Sequence, residues 1–266
     1  MYSRSRLARK YLCYYITASN GRGHGIHSPF VYDFVWRVLN DTQDFPMYSR
    51  IAGLRRQLEA DPSVLEIEDL GAGSSVGATR RRSVAELARN AAKSKKLGQL
   101  LFRIAGYYKS RTILELGTSL GLSTAYLAGG WNGSKVISIE GSAVVAKEAG
   151  KNFRSMGLEN IEQIVGDFDH TLAAAMERMG GSLDLVFIDG NHRLEPTLRY
   201  FNLLTGRLST SSVIVLDDIH WSEEMELAWE RIKEDPRVLL TIDLFFVGLV
   251  FFREEFKIKQ HFTIRF

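Results

Sequence analysis

The stretch Glu115-Leu116-Gly117-Thr118-Ser119-Leu120-Gly121-Leu122-Ser123-Thr124 decides how this chain folds. The run leading into it, Thr112–Leu116, is apolar and suits a strand covered on both faces, and beyond Gly121 the pattern turns helical. Ligands of open α/β sheets bind past the carboxyl ends of the strands, and glycine there lets backbone approach a ligand with no Cβ in the way. The spacing is Gly-x-x-x-Gly. It is not the G-x-G-x-x-G of a nicotinamide site, and no Gly-Lys-Ser/Thr follows to grip phosphate. A second strand, Lys135–Glu140, ends in an acid that could accept two hydrogen bonds from the ribose hydroxyls of a nucleoside.

Outward from this motif the alternation continues, with strands expected at Ile161–Val165, Leu183–Ile188 and 212–216, separated by helix-length segments. Runs at 239–245 and 249–253 are too close for a crossover helix, so they read as an antiparallel hairpin turning near Val247 and Gly248. The expected fold is α/β: a mostly parallel, Rossmann-like seven-stranded sheet ending in one reversed strand. Before it, helical patterns at 5–18, 29–40 (opened by Ser28-Pro29), 48–60 and 83–108 suggest a helical N-terminal cap over residues 1–98, leaving 99–266 as the ligand-binding domain.

Charge divides along the same line. Residues 1–110 hold 18 Lys and Arg against 9 Asp and Glu, although the whole chain carries only +3. The basic, aromatic start (Arg4, Arg6, Arg9, Lys10, then 11–16) reads as an amphipathic helix on the protein surface, with RNA or anionic lipid as its functional alternative. Arg80, Arg81 and Arg82 with Lys93, Lys95 and Lys96 read as a solvated helix face, with an anion-attracting face as the functional alternative. With 45% apolar and 24% charged residues the chain is not disordered or fibrous. The lone Cys13 forms no internal disulfide, and the apolar run 244–252 is half a bilayer span. These features fit a cytoplasmic protein.

Three further motifs stand at expected strand ends: Gly166-Asp167-Phe168, then Leu183-Asp184-Leu185-Val186-Phe187-Ile188-Asp189-Gly190, then Leu216-Asp217-Asp218-Ile219-His220-Trp221. Together with the glycine loop and Glu140 they resemble the class I S-adenosylmethionine-dependent methyltransferases over residues 99–266, and within them the small-molecule, catechol-type O-methyltransferases. The resemblance implies S-adenosylmethionine as cofactor, contacted by Glu115, Gly117, Thr118, Ser119, Gly121, Ser123, Glu140, Gly141, Asp167, Phe168 and Asp189.

In metal-dependent members an Asp after strand four and an Asp-Asn pair after strand five hold a divalent cation, here Asp189, Asp217 and Asp218. Asp218 departs from the usual Asn. Three converging carboxylates repel unless a cation or protons intervene, and an all-oxygen set suits Mg²⁺ or a similar ion. Where the family has a lysine this chain has His192, and we take His192 as the base that removes the acceptor's proton, with Asp189 beside it and His220 as the other candidate. The implied function is O-methylation of a small molecule, by a possible homodimer with no membrane span. The rivals are an RNA methyltransferase using the basic N-terminal region and a non-catalytic nucleoside-binding protein on the same fold. Asp69-Leu70-Gly71-Ala72-Gly73 looks like a second acid-and-glycine loop, but no strand ending in an acid follows it. His24 and His27, in the Gly23-to-Phe30 segment, read as chain-entry packing or part of a loop over the pocket.

Overall fold

The computed structural model describes residues 1–19, 21–68, 79–90 and 93–266; the Asp69-to-Gly73 loop lies outside them. By internal contact the chain forms two compact units, Thr42–Gly180 on one side and Met1–Asp41 with Gly181–Phe266 on the other, so residues 1–98 contribute to both.

In the unit Thr42–Gly180, helix α3 (Pro46–Ala60) precedes a hairpin of β1 (Val64–Glu68) and β2 (Thr79–Ser83), then α4 (Val84–Asn90) and α5 (Lys95–Tyr107). The long helix expected over 83–108 is therefore two helices. Arg80, Arg81 and Arg82 lie on a strand, opposite Ile67, Glu66 and Leu65, and do not form a helix face. From β3 (Thr112–Leu116) the chain runs through α6 (Leu122–Gly130), β4 (Lys135–Glu140), α7 (Ala143–Ser155), β5 (Ile161–Val165) and α8 (Phe168–Met179), with β3, β4 and β5 parallel. These three strands keep the bounds expected from sequence. Ile113, Leu114, Leu116, Val136, Ile137 and Ile139 are buried, the cause of the nearly continuous apolar pattern of β3 and β4. Behind them α5 and α6 pack so closely that a Cβ on Gly98 would sit 2.2 Å from the Tyr126 ring, so only glycine fits.

In the other unit, α1 (Arg4–Thr17), α2 (Pro29–Phe34) and a π-helical turn, Val35–Leu39, precede β6 (Leu183–Ile188), α9 (Leu194–Thr205), β7 (Leu208–Asp217), α10 (Glu223–Glu234), β8 (Leu240–Asp243), β9 (Val247–Phe251) and β10 (Gln260–Thr263). Ser28 caps α2 and Pro29 opens it, as its sequence indicates. β6 and β7 are parallel, while β9 runs antiparallel to both β7 and β8. The reversed strand is thus internal to the sheet and not its last member. β10 pairs parallel with β8, adding one strand to the seven expected. The β8–β9 hairpin also turns earlier than its glycine suggests: Leu244, Phe245 and Phe246 make the turn, with Phe245 left-handed at φ 70° and its N–H donating to Asp243 Oδ1. Gly248 lies inside β9 because Trp229 covers it, a Cβ there falling 2.6 Å from the indole. Among the described residues no helix is long and apolar enough to cross a membrane.

Candidate functional site

The glycine loop is shaped from beneath by a buried carboxylate. Glu115, fully buried, accepts hydrogen bonds at Oε2 from Thr124 Oγ1 (2.5 Å) and Ser138 Oγ (2.6 Å), tying β3 to α6 and β4. Thr118, also buried, lies 2.5 Å from Ser138 Oγ through its hydroxyl, and the Gly117 and Thr118 amides donate to Ile139 O. Glu115 and Thr118 therefore hold the loop in shape from inside. Gly117 (φ 105°) and Ser119 (φ 48°) are left-handed, and Gly121 (φ 83°) caps α6 where a Cβ would meet Phe153 at 2.4 Å. Ser123 is buried in the first turn of α6.

Glu140 stands half-buried at the end of β4 with both oxygens held by backbone, Oε2 by Ser119 N–H at 2.8 Å and Oε1 by Ser142 N–H at 3.0 Å. The carboxylate faces a cleft of about 210 Å³ lined also by Ser119, Val145, Ile67, Arg80, Arg82 and Leu87. The last four, from the β1–β2 hairpin and α4, were missed in sequence. The alternation of Val64-Leu65-Glu66-Ile67-Glu68 was the available signal, but Thr79-Arg80-Arg81-Arg82-Ser83 has no apolar residue to mark a strand. Gly141 follows β4 half-buried. Asp167 caps α8, its Oδ1 accepting from Asp169 N–H, with Phe168 as the first residue of that helix.

In the unit containing residues 181–266, parallel pairing of Ile188 with Leu216 sets Asp189 and Asp217 one residue beyond neighbouring strand positions. Asp217 is 2% exposed. After Asp189 the chain turns through left-handed Asn191 (φ 52°), whose Nδ2 donates to Tyr200 Oη and whose carbonyl accepts from Arg193 N–H. That turn brings His192 back over the acids, its Nε2 3.6 Å from Asp189 Oδ1 and 4.0 Å from Asp218 Oδ2. One donor atom each from Asp189, His192 and Asp217 lie within 4.8 Å of one another. Asp218, left-handed at φ 55°, donates its N–H to Phe246 O and stands outside that trio.

His220 is placed differently. Its Nδ1 lies 3.0 Å from Glu226 Oε1 and its Nε2 2.8 Å from Asp243 Oδ2, with Phe245 stacked on the ring. Burial pulls its pKa down, but the hydrogen bonds and charges of Asp243 and Glu226 outweigh that and raise it above the ordinary histidine value. Burial pushes Glu226 up, yet Lys10, Tyr2 and His220 hold it below the usual carboxylate range. Tyr2 Oη donates to Glu226 at 2.7 Å and Lys10 Nζ at 2.8 Å. Both nitrogens of His220 are thus committed to carboxylates, of which Glu226 also holds Lys10 of α1. A small cavity beside this network is lined by Leu7, Asp218, His220, Trp221, Phe245 and Phe246. His24 and His27 are exposed.

A model of the methyltransferase-domain family matches residues 114–219. A catechol O-methyltransferase of Mycobacterium tuberculosis is 33% identical over 137 residues, 51% of this chain and 60% of that protein. The chain thus spans about three fifths of the length of the curated relatives it matches. Among solved structures, an O-methyltransferase from Bacillus cereus in complex with S-adenosylhomocysteine has a TM-score of 0.55 at 20% identity, covering 79% of this chain and 92% of that one. The O-methyltransferase TomG of Streptomyces achromogenes, involved in tomaymycin synthesis and in complex with S-adenosylmethionine, has a TM-score of 0.56 at 19% identity, covering 84% and 95%. At such identities the likeness is one of fold. The chain is therefore built on the class I methyltransferase fold and carries the methyltransferase-domain signature over residues 114–219.

Proposed function

We propose that this protein transfers the methyl group of S-adenosylmethionine to a hydroxyl oxygen of a small molecule. The observation that carries the reading is Glu140: an acid at the end of β4, both oxygens locked by loop amides, facing a cleft beside the glycine loop. A pre-oriented carboxylate loses little entropy when it accepts two ribose hydroxyls, and the relatives point to the same ligand. Gly117, Ser119 and Gly121 bring loop backbone to the cofactor, with Gly141, Asp167, Phe168 and Asp189 as its further contacts. Glu115, Thr118 and Ser123 act beneath them.

Bound S-adenosylmethionine supplies an electrophilic methyl on a sulfonium, so the S–CH₃ bond breaks, its electron pair returning to sulfur, as the acceptor's O–CH₃ bond forms. The work of the chain is to align the two reactants, exclude water and take the hydroxyl proton. Asp189, His192, Asp217 and Asp218 are the groups that receive the hydroxyl and its proton. His220 is not among them, because both its nitrogens are engaged. The donor types and mutual reach of Asp189, His192 and Asp217 fit a divalent cation, which when bound lowers the pKa of a coordinated hydroxyl.

In this reading residues 1–98 cap the site, and the enzyme works in the cytoplasm. Calorimetric titration with S-adenosylmethionine, followed by methyl-label transfer to a panel of hydroxylated small molecules, tests it. Cofactor binding with label passing to one class of hydroxyl is the expected result. Absence of binding, or binding with no transfer across the panel, overturns it, and transfer to RNA alone favours the rival reading. Light scattering on the purified chain decides whether it is the homodimer expected.

A further inference from the structure

We propose that His192 is a metal ligand, completing a mixed nitrogen and oxygen site with Asp189 and Asp217 that prefers a transition-metal ion such as Co²⁺ or Zn²⁺ over Mg²⁺. The proposal deepens the functional reading by naming the ion class of the same site, and it rests on that reading only for what the ion would do there.

The expectation from sequence is three carboxylates, Asp189, Asp217 and Asp218, an all-oxygen set. The folded chain assembles a different trio. Asp189 and Asp217 come from adjacent parallel strands in fixed register, the rigid part of the site. His192 is turned toward them by left-handed Asn191, itself held by Tyr200 Oη and the Arg193 amide. Asp218 is tied to the β8–β9 turn through its backbone, and its Oδ2 stands 4.0 Å from His192 Nε2.

Donors around a small divalent ion at about 2.1 Å sit roughly 3 Å apart when adjacent and about 4 Å apart when opposite. The 3.6 Å from His192 Nε2 to Asp189 Oδ1 and the 4.8 Å limit across the trio need only side-chain adjustment to meet those spacings. Asp217 is buried beside Asp189, an arrangement that two anions tolerate when a cation lies between them. Neutral imidazole suits Zn²⁺, Cu²⁺, Fe²⁺ and Ni²⁺, whereas Mg²⁺ and Ca²⁺ favour all-oxygen cages. One nitrogen in place of one oxygen therefore changes which ion the site selects. It also removes the ring nitrogen facing the acids from duty as a free base.

The test uses the full chain stripped with a chelator and then dialysed free of it. Calorimetry with Mg²⁺, Mn²⁺, Co²⁺ and Zn²⁺ reads affinity, and pulsed electron paramagnetic resonance of the Mn²⁺ form reads nitrogen coordination directly. The expected result is Co²⁺ and Zn²⁺ binding at least about a hundredfold tighter than Mg²⁺, with nitrogen coupling in the Mn²⁺ signal. His192→Ala should lose the coupling and at least about tenfold of Co²⁺ affinity while Mg²⁺ affinity stays low. His192→Gln, which fills the same space, guards against a collapse of the loop. Asp217→Asn should remove ion binding, and Asp218→Asn should keep Co²⁺ preference.

No ion binding, equal affinity for Mg²⁺ and Co²⁺, or bound Mn²⁺ without nitrogen coupling overturns the proposal. If the chelated enzyme still transfers methyl groups and His192→Ala alone stops it, His192 is the base, and the functional reading stands while this inference falls. If Co²⁺ binds through His192 but no methyl is ever transferred, the inference stands and the functional reading falls.

Discussion

The loops after β6 and β7 look alike in sequence and differ in what they do. Each begins with an aspartate at a strand end, Asp189 or Asp217, and each carries a histidine three residues later, His192 or His220. In the first loop the imidazole lies 3.6 to 4.0 Å from its acids, close enough to share an ion or take a proton and too far for a hydrogen bond. In the second, both nitrogens are at hydrogen-bonding distance from Glu226 and Asp243. Equal spacing from a strand end therefore does not mean equal function; what packs against the loop decides. α10 brings Glu226, six residues further on, and β8 brings Asp243, 23 residues further on, to His220.

The comparison breaks first at His192. Replacing His192 with Ala should lower kcat by about 10² to 10⁴, whether the imidazole binds the ion or takes the proton, while S-adenosylmethionine affinity stays near wild type. His220→Gln should spare most of kcat. Steady-state kinetics on both variants is the check, and a loss at His220 as deep as that at His192 would erase the distinction.

Glu140→Ala addresses the other unit and should do the reverse. Losing two charge-assisted hydrogen bonds costs about 3 kcal/mol, on the order of a hundredfold in cofactor affinity. Calorimetry on a folded variant with unchanged affinity would remove Glu140 from the site.

The third prediction concerns pH and stability. The folded pKa of His220 is raised, so its contribution is fully present below the ordinary value of 6.5 and is lost as pH rises through the raised one. Glu226, lowered, contributes above its ordinary 4.5 and loses that as pH falls through its folded value. Stability should therefore peak between these limits. His220→Gln should cost about 2 kcal/mol near pH 6 and flatten the alkaline side of the profile, as followed by denaturant melts at several pH values. An unchanged profile would mean the histidine is not the charged bridge we describe. The smallest effect is expected from Tyr2→Phe, about 1 kcal/mol through the lost Glu226 bond, read in the same melts.

Much of the fold was legible because burial on both sheet faces leaves an unbroken apolar run. β3, β4 and β6 therefore keep their expected bounds, and so does β5, although its Ile-Glu-Gln-Ile-Val run is only partly buried. The β8–β9 turn misled because its left-handed residue is Phe245, held by Asp243, while the nearby Gly248 serves packing against Trp229. β10 pairs through residues 260–263, Gln-His-Phe-Thr, too short and polar to stand out. No strand is expected from sequence at 64–68 or 79–83, and the arginines beside Glu140 read there as a solvated helix face. Strand pairing is non-local, so a five-residue strand without apolar residues leaves no periodic trace.

The sequence by itself determined the alternating α/β order, the glycine loop and the place of Glu140, because each depends on local apolar pattern or on a residue type at a strand end. Only the tertiary structure decided which histidine faces the acids, that Asp218 stands outside the trio of Asp189, His192 and Asp217, and that Glu115 works beneath the loop. Those outcomes depend on side chains delivered by elements distant in the chain, and hydrogen bonds of about 3 Å tolerate no error in where those elements pack.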